Sequence, residues 1–396
     1  MTDDAGQQGH TLPGPLALAR AHAATPAGRP RARALGIPFD GTPGRWNAIT
    51  DVPGVEVGYA TLVEGESVRT GVTAIHPRGA AGPGDPVIAG FFSQNGNGEM
   101  TGVSWIEESG TFSGPVAITN THAVGVAHAA IISWTVRRHP RLADAWLLPV
   151  AAETWDGYLN DINGQHVTEQ IAVQALEAAA GGAVEEGSVG GGTGMNCYGF
   201  KGGSGTASRL VDYCGASYTV GAFVQANFGS RQELTLAGRR VGQLVTAANP
   251  MADSFAVPPG AGSVIVVVGT DAPLLPQQCK ALARRVTLGL ARTGTVGSHF
   301  SGDLFLAFST GNPGAITPGV DALWGASVAA GAGDESGYDK LRFIPWGFLD
   351  PFYAAVVQAT EEAVANALVA NEDMAGRDGH VSLALPREQV AALFQG

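Results

Sequence analysis

Five β-branched residues in a row, Val264–Val268 within "SVIVVVGT", follow a loop-like "PPGAG" and end in turn residues. Such a run reads as a buried strand, and burying it demands layers contributed from elsewhere in the chain. Candidates are plentiful on both sides. Strand-like segments include "GVTAIHP", "PVIAGFF", "GPVAITNTHAVG", "WLLPVAAETWDG", "YTVGAFVQANFG", "ELTLAGRRVGQLV" and "DLFLAFST". Helical spacing marks "VAHAAIISWTVRRHP", "VTEQIAVQALEAAAGG", "PQQCKALARRVTLGLARTG" and "PFYAAVVQATEEAVANALVANEDM". In the third of these, Pro276 belongs in the first turn and Gly294 beyond the end. Its buried face is Cys279, Leu282, Ala283, Val286 and Leu290. The last is expected to be long and amphipathic. Strands and helices intermix before and after Ser263, and each half needs the other to cover its apolar runs. The pattern therefore predicts one α/β core over residues 36–396, with 250–262 as an exposed connector; a domain boundary there is the alternative. Residues 1–35, rich in Ala, Pro and Arg, read as a flexible leader.

Composition narrows the partners. Of 396 residues 57 are Gly and only 15% are charged, which suits large buried sheets joined by tight turns. Net charge is −12 without a basic stripe, so nucleic acid is not an expected partner. The apolar runs are too short to span a bilayer. The first residues lack the pattern of an export signal, so a cytoplasmic protein without membrane contact is expected. The three cysteines, Cys197, Cys214 and Cys279, have neither disulfide-framework nor zinc spacing. They read as thiols, and no metal or other cofactor is expected.

Several motifs are excluded by spacing. The glycine-dense stretch 187–211 is not a P-loop, because Gly199 is followed by Phe200 and then Lys201. Nor is it a dinucleotide fingerprint, since Cys197 stands where the third glycine belongs. Close backbone approach or a substrate-facing loop accounts better for its glycines. His122 has no visible metal or base partner nearby and reads as structural. No G-x-S-x-G elbow is present. That leaves the Gly262–Ser263 bond. An internal serine needs a base, whereas a serine at a chain terminus carries its own α-amine, with an unperturbed pKa near ~7.7–8.0. Glycine ahead of it suits the crowded intermediate of self-cleavage. A plain loop-to-strand junction explains the same dipeptide.

Longer blocks add to this. "NAITDVPGVEVG", "NGNGEMTG", "TNTHAVG", "ETWDGYLNDIN", "GGGTGMNCYGFKGGSGTASR", "GSVIVVVGTDAPLLPQQ" and "FSGDLFLAFST" occur in collinear order between about Arg45 and Pro386. Together they resemble the L-aminopeptidase D-Ala-esterase/amidase family, which includes the β-peptidyl aminopeptidases. The resemblance implies a four-layer αββα sandwich, similar to N-terminal nucleophile hydrolases with different connectivity. It also implies self-cleavage into chains 1–262 and 263–396, with Ser263 as nucleophile. Ser301 and Asp303 match the serine and carboxylate that orient the nucleophile and its amine, although some members carry Glu where Asp303 stands. Asn227 matches the oxyanion-binding side chain and Glu153 the carboxylate that holds the substrate's free amine. Trp155 stands where some members have Tyr.

The implied activity is hydrolysis of the first residue from small peptides, amides or esters, by a homotetramer of αβ units. An acyltransferase of the ornithine acetyltransferase type and a non-enzymatic binding protein on the same scaffold are the alternatives. L-α-aminoacyl, D-alanyl and β-amino acid substrates all remain open.

Overall fold

The structure is a computed structural model and describes residues 20–254, 261–316 and 338–395. Its principal strands in chain order are β1 (Glu56–Glu64), β2 (Val68–His76), β3 (Val87–Gly96), β4 (Thr111–Phe112), β5 (Val116–Asn120) and β6 (Val150–Thr154). They continue with β7 (Asn196–Cys197), β8 (Phe200–Lys201), β9 (Gly203–Tyr213), β10 (Ala216–Asn227), β11 (Gly262–Thr270) and β12 (Ser301–Ser309). The long helices are α1 (Val124–Arg138), α2 (Glu169–Glu177), α3 (Pro276–Arg292) and α4 (Asp350–Val369). One sheet runs β1-β2-β5-β6 and the other β4-β3-β12-β11-β10-β9.

Side-chain alternation stacks these elements into four layers. Ile75, Val116, Ile118 and Val150 of the first sheet meet Phe223, Ile265, Val267, Leu304 and Leu306 of the second in a core between the sheets. The opposite face of the first sheet (Val72, Ala74, Ala117, Ala151) packs on Ala127, Ala130, Ile131 and Trp134 of α1 and Ala172, Ala175 and Leu176 of α2. The outer face of the second sheet, with Val264, Val266, Val268 and Phe305, is covered by α3 and α4. This is the αββα sandwich. The Val264–Val268 run does not alternate because β11 is covered on both faces. Each of those side chains contributes roughly 1.5–3 kcal/mol of burial. β11 and β12 pair in parallel, so the chain must cross over between them, and α3 is the crossover.

α3 begins as its sequence implies. Pro276 is in the first turn, the Gln278 side chain accepts the Leu275 N–H at 2.9 Å, and the five named apolar residues are buried. α4 departs from the amphipathic expectation. Its last turns are buried all round, including Glu362 and Asn366. The polar residues there are matched by a strap from the chain's beginning. Glu362 accepts from Arg33 at 2.6 and 2.7 Å, from Arg209 at 2.7 Å and from Asn47 at 2.6 Å. Arg31, 3% exposed, pairs with buried Glu186 at 2.7 Å. Residues 20–35, the second half of the stretch read as a leader, are thus packed onto the body; residues 1–19 lie outside the described residues.

The strand expected over 233–245 is not formed. That stretch turns tightly at Ala237 (φ 45°) and Gly238 (φ 78°) and ends in a short helix, Val241–Leu244. Its Leu234, Leu236 and Val241 are instead separate anchors in the outer core. The connector expected over 250–262 contains a short helix, Pro250–Ser254, and its 255–260 portion lies outside the described residues. No helix of the described residues is long and apolar enough to cross a membrane.

Candidate active site

The layering brings the carboxyl ends of β5 and β6 to the amino ends of β11 and β12. A cavity of about 460 Å³ opens there, lined by Glu153, Trp155, Asn227, Gly262, Ser263 and Phe300 among others. Ser263, the second residue of β11, is 2% exposed. It lies opposite Asn227, the last residue of β10, and beside Gly302 of β12. Two donors reach its hydroxyl: the Trp155 backbone N–H at 3.1 Å and Asn227 Nδ2 at 3.3 Å. Asn227 cannot turn its amide around, because Nδ2 also donates to Trp155 O at 2.9 Å while Oδ1 accepts the Asn196 N–H at 2.9 Å.

Gly262 is required by close approach. A Cβ at this position would lie 2.0 Å from Asn227 O, a contact no side chain tolerates. A glycine therefore precedes the serine because the neighbouring strand passes against it.

Ser301 and Asp303 lie within β12 rather than in a turn before it, and the two-residue period puts both on one face. They do not line the cavity but adjoin it: Ser301 is in register with Gly262, and Asp303 with Val264. Ser301 Oγ donates to Asp303 Oδ1 at 2.5 Å, and Asn95 Nδ2 donates to Oδ2 at 3.2 Å. Burial pushes the Asp303 carboxyl up to about 6 against the pull of these two hydrogen bonds. Asn95 faces Asp303 across an irregularity in the β3–β12 ladder.

Glu153, 3% exposed near the end of β6, accepts the Glu99 N–H at 2.9 Å on Oε1 and the Thr121 hydroxyl on Oε2. Burial raises its pKa. Thr121, the Glu99 N–H and the His122 charge work against that shift, and the Glu99 charge works with it. A carboxylate so placed is stabilised by an arriving cation. His122 is exposed and its Nδ1 bonds Asn163 Oδ1 at 2.9 Å, so it lines no part of the cavity.

The residues singled out in the sequence thus converge: Glu153, Asn227, Gly262 and Ser263 line the cavity, with Ser301 and Asp303 on the adjoining strand. Nothing in the sequence marks Thr121 for Glu153, Asn95 for Asp303, or the Trp155 N–H for Ser263. Thr121 and Asn95 lie 32 and 208 residues from the groups they contact, and no local spacing links them. The glycine-dense stretch serves close packing: a Cβ at Gly202 would meet Ala226 O at 2.4 Å, and one at Gly205 would meet Ala363 O at 2.1 Å.

Comparison with known proteins identifies the family. The model of peptidase family S58 matches residues 47–382. The chain is 47% identical over 383 residues to β-peptidyl aminopeptidase BapA of Sphingosinicella microcystinivorans, covering 92% of each chain. It is 42% identical to the BapA of Sphingosinicella xenopeptidilytica, covering 92% of this chain and 91% of that one. Among solved structures, the L-aminopeptidase D-Ala-esterase/amidase of Ochrobactrum anthropi superposes with a TM-score of 0.83 at 45% identity, over 93% of this chain and 98% of the other. That protein is described as a prototype for the serine aminopeptidases and a variant among the Ntn hydrolase fold. A Burkholderia β-aminopeptidase gives 0.81 at 44% identity, over 91% and 97%. From its sequence, its sandwich and the site the sandwich builds, this chain belongs to peptidase family S58 and is a hydrolase of the aminopeptidase/amidase kind.

Proposed function

We propose that the protein cleaves itself between Gly262 and Ser263 and then acts as an N-terminal-serine aminopeptidase. The observation that carries this is Ser263 Oγ in the cavity wall, met by Asn227 Nδ2 and the Trp155 N–H, with buried Glu153 in the same cavity. In the first step Ser263 Oγ attacks the Gly262 carbonyl, the C–N bond breaks, and water hydrolyses the resulting ester. This frees the Gly262 carboxylate and the Ser263 amine. In each turnover that amine takes the proton of Oγ as Oγ attacks the carbonyl of the substrate's first residue. The proton passes to the leaving amine, and water releases the acyl group. Asn227 Nδ2, with the Trp155 N–H beside it, stabilises the oxyanion. Ser301 and Asp303 orient the nucleophile and its amine. Glu153 pairs with the substrate's ammonium, which makes a free amino terminus the recognition element.

Substrates are peptides whose first residue includes β-amino acids, a reading supported by the names of the relatives at 47% and 42% identity. No observation favours acyl transfer. The active form is an oligomer, expected as a homotetramer of αβ units. Exposed aromatic residues such as Trp346 (52%) and Phe348 (57%) support this and supply surface for contacts between copies. Size-exclusion chromatography with light scattering tests it. The decisive experiment is a denaturing gel of the purified protein: two fragments are expected, the smaller beginning Ser-Val-Ile-Val-Val. Ser263→Ala is expected to stay uncut and lose at least about 10⁴-fold in kcat. An uncut chain with full activity refutes the proposal.

A further inference from the structure

Lys201 is 0% exposed, and among the described residues its ammonium makes no salt bridge. Its Nζ donates to two carbonyl oxygens, Met195 O at 2.8 Å and Gly202 O at 2.7 Å, and not to a carboxylate. Burial pulls the ammonium down to about 7, and Arg29 adds to this against the opposing influence of Cys197 and Asp156. The Cys197 thiol, itself pushed up to about 12 by burial, is uncharged at neutral pH. A buried cation in such surroundings is costly, and here it is spent on holding one segment.

That segment is the hairpin of β7 and β8, inside the glycine-dense stretch. Lys201 joins the residue before β7 (Met195) to the residue after β8 (Gly202), and the Gly202 N–H closes the same loop on Met195 O at 2.9 Å. From the side of α4, Asn371 Nδ2 donates to Lys201 O and Gly202 O, both at 3.0 Å. Next to Met195 is Asn196, whose N–H holds Asn227 Oδ1 at 2.9 Å. The path from ammonium to nucleophile is therefore short: Lys201 Nζ, Met195 O, Asn196 N–H, the Asn227 amide, Ser263 Oγ.

We infer that Lys201 is a positioning residue for the reaction: its ammonium clamps the β7–β8 hairpin so that the Asn196 N–H keeps the Asn227 amide aimed at Ser263. It rests on the reading of Asn227 as an oxyanion donor. Lys201 itself does not line the cavity, so it acts through the hairpin. Asn196 and Gly199 of the hairpin border the cavity, but Glu153 is held by Thr121 and the Glu99 N–H on other elements, so recognition of the substrate's ammonium is spared and the chemical step is not.

Lys201→Met keeps the side chain's length and removes the ammonium. Kinetics on an aminoacyl anilide, normalised to cleaved chain, are expected to show kcat down about 10- to 100-fold and KM within about threefold. That is less than the about 10²–10³ lost when an oxyanion donor is removed outright. Asn227→Ala, assayed for rate of chain cleavage and for kcat, separates the two layers of the claim. If Asn227→Ala changes neither quantity, the oxyanion reading itself fails. If it lowers either one while Lys201→Met keeps kcat within about twofold, the positioning role is overturned and the oxyanion reading stands. Should Lys201→Met not fold, Asn371→Leu removes the other brace on the hairpin and is read the same way. A kcat-only loss supports the clamp, and an unchanged kcat overturns it.

Discussion

Two regions of this molecule bury carboxylates equally well and treat them in opposite ways. Under α4, Glu362 is 0% exposed; burial alone would raise its pKa, but the Arg33 hydrogen bond and the charges of Arg209, Arg33 and Arg31 outweigh that and hold it below the usual range. At the cavity, Glu153 and Asp303 are each 3% exposed and have only hydroxyl, amide and backbone donors, so burial wins and both pKa values rise. The first arrangement is complete and holds the amino-terminal strap to the body. The second leaves negative charge uncompensated where the proposed reaction brings a substrate ammonium and a serine α-amine. An unpaired buried carboxylate is a cost to folding that a function can use.

The contrast can be broken most forcefully at Glu362. Glu362→Ala leaves Arg33 and Arg209 without their partner and is expected to cost about 3–5 kcal/mol of stability, as when one side of a buried ion pair is removed. Urea unfolding measures it, and kcat per folded, cleaved chain should be unchanged. At the cavity the same kind of change should act on activity. Glu153→Gln is expected to lower kcat/KM about 100-fold for substrates with a free amine, about 2.7 kcal/mol. The melting temperature should hold or rise, because no cation loses its partner. Equal loss on an N-acetylated substrate would remove ammonium recognition from Glu153.

The smallest effect separates the regions by pH. Asp303 is held up to about 6, above the ~3.9 of an unfolded aspartate, so the folded protein keeps the extra proton between those values. Its ionisation is a cost above about 6, and the cost is relieved as pH falls toward ~3.9. Glu362 has the opposite sign: its contribution is full above the ~4.3 of an unfolded glutamate and is lost as pH falls through its lower folded value. His76, buried against Trp134 and pulled down to about 4, also loses stability as pH falls, from ~6.5 toward 4. It overlaps the Asp303 window, and cleavage would bring the Ser263 amine to Asp303, so uncut Ser263→Ala should be compared with Ser263→Ala/Asp303→Asn. The double variant is expected to be more stable by about 1–3 kcal/mol at pH 8, with the gap closing toward pH 4. A gap that does not vary with pH would mean that Asp303 is not held above its unfolded value.

Much of the site was legible because its residues sit in recognisable blocks. Ser263 follows the glycine its neighbour strand demands, Asn227 ends a strand, and Ser301 and Asp303 have the spacing that places two side chains on one face. The residues that tune these groups were not legible. Thr121, Asn95, Asn196 and Lys201 act through contacts between separate segments, and their hydrogen bonds have no local signature. Over 233–245 the apolar spacing fitted a strand, yet Leu234, Leu236 and Val241 anchor a turn, since apolar residues at loop anchors carry no period of their own.

The amino-acid order alone located most of the buried strands and the long helices, because the periods of burial are local and each side chain's transfer from water is its own. It also set Gly262 directly before Ser263, the bond at which the proposed cleavage falls. Charge was decided by the fold. Whether a buried Glu, Asp, Lys or His finds a partner depends on which distant segment packs against it, and at distances of a few ångströms that partner sets the sign of the shift. Glu362 received two arginines, while Glu153 received a hydroxyl and a backbone N–H.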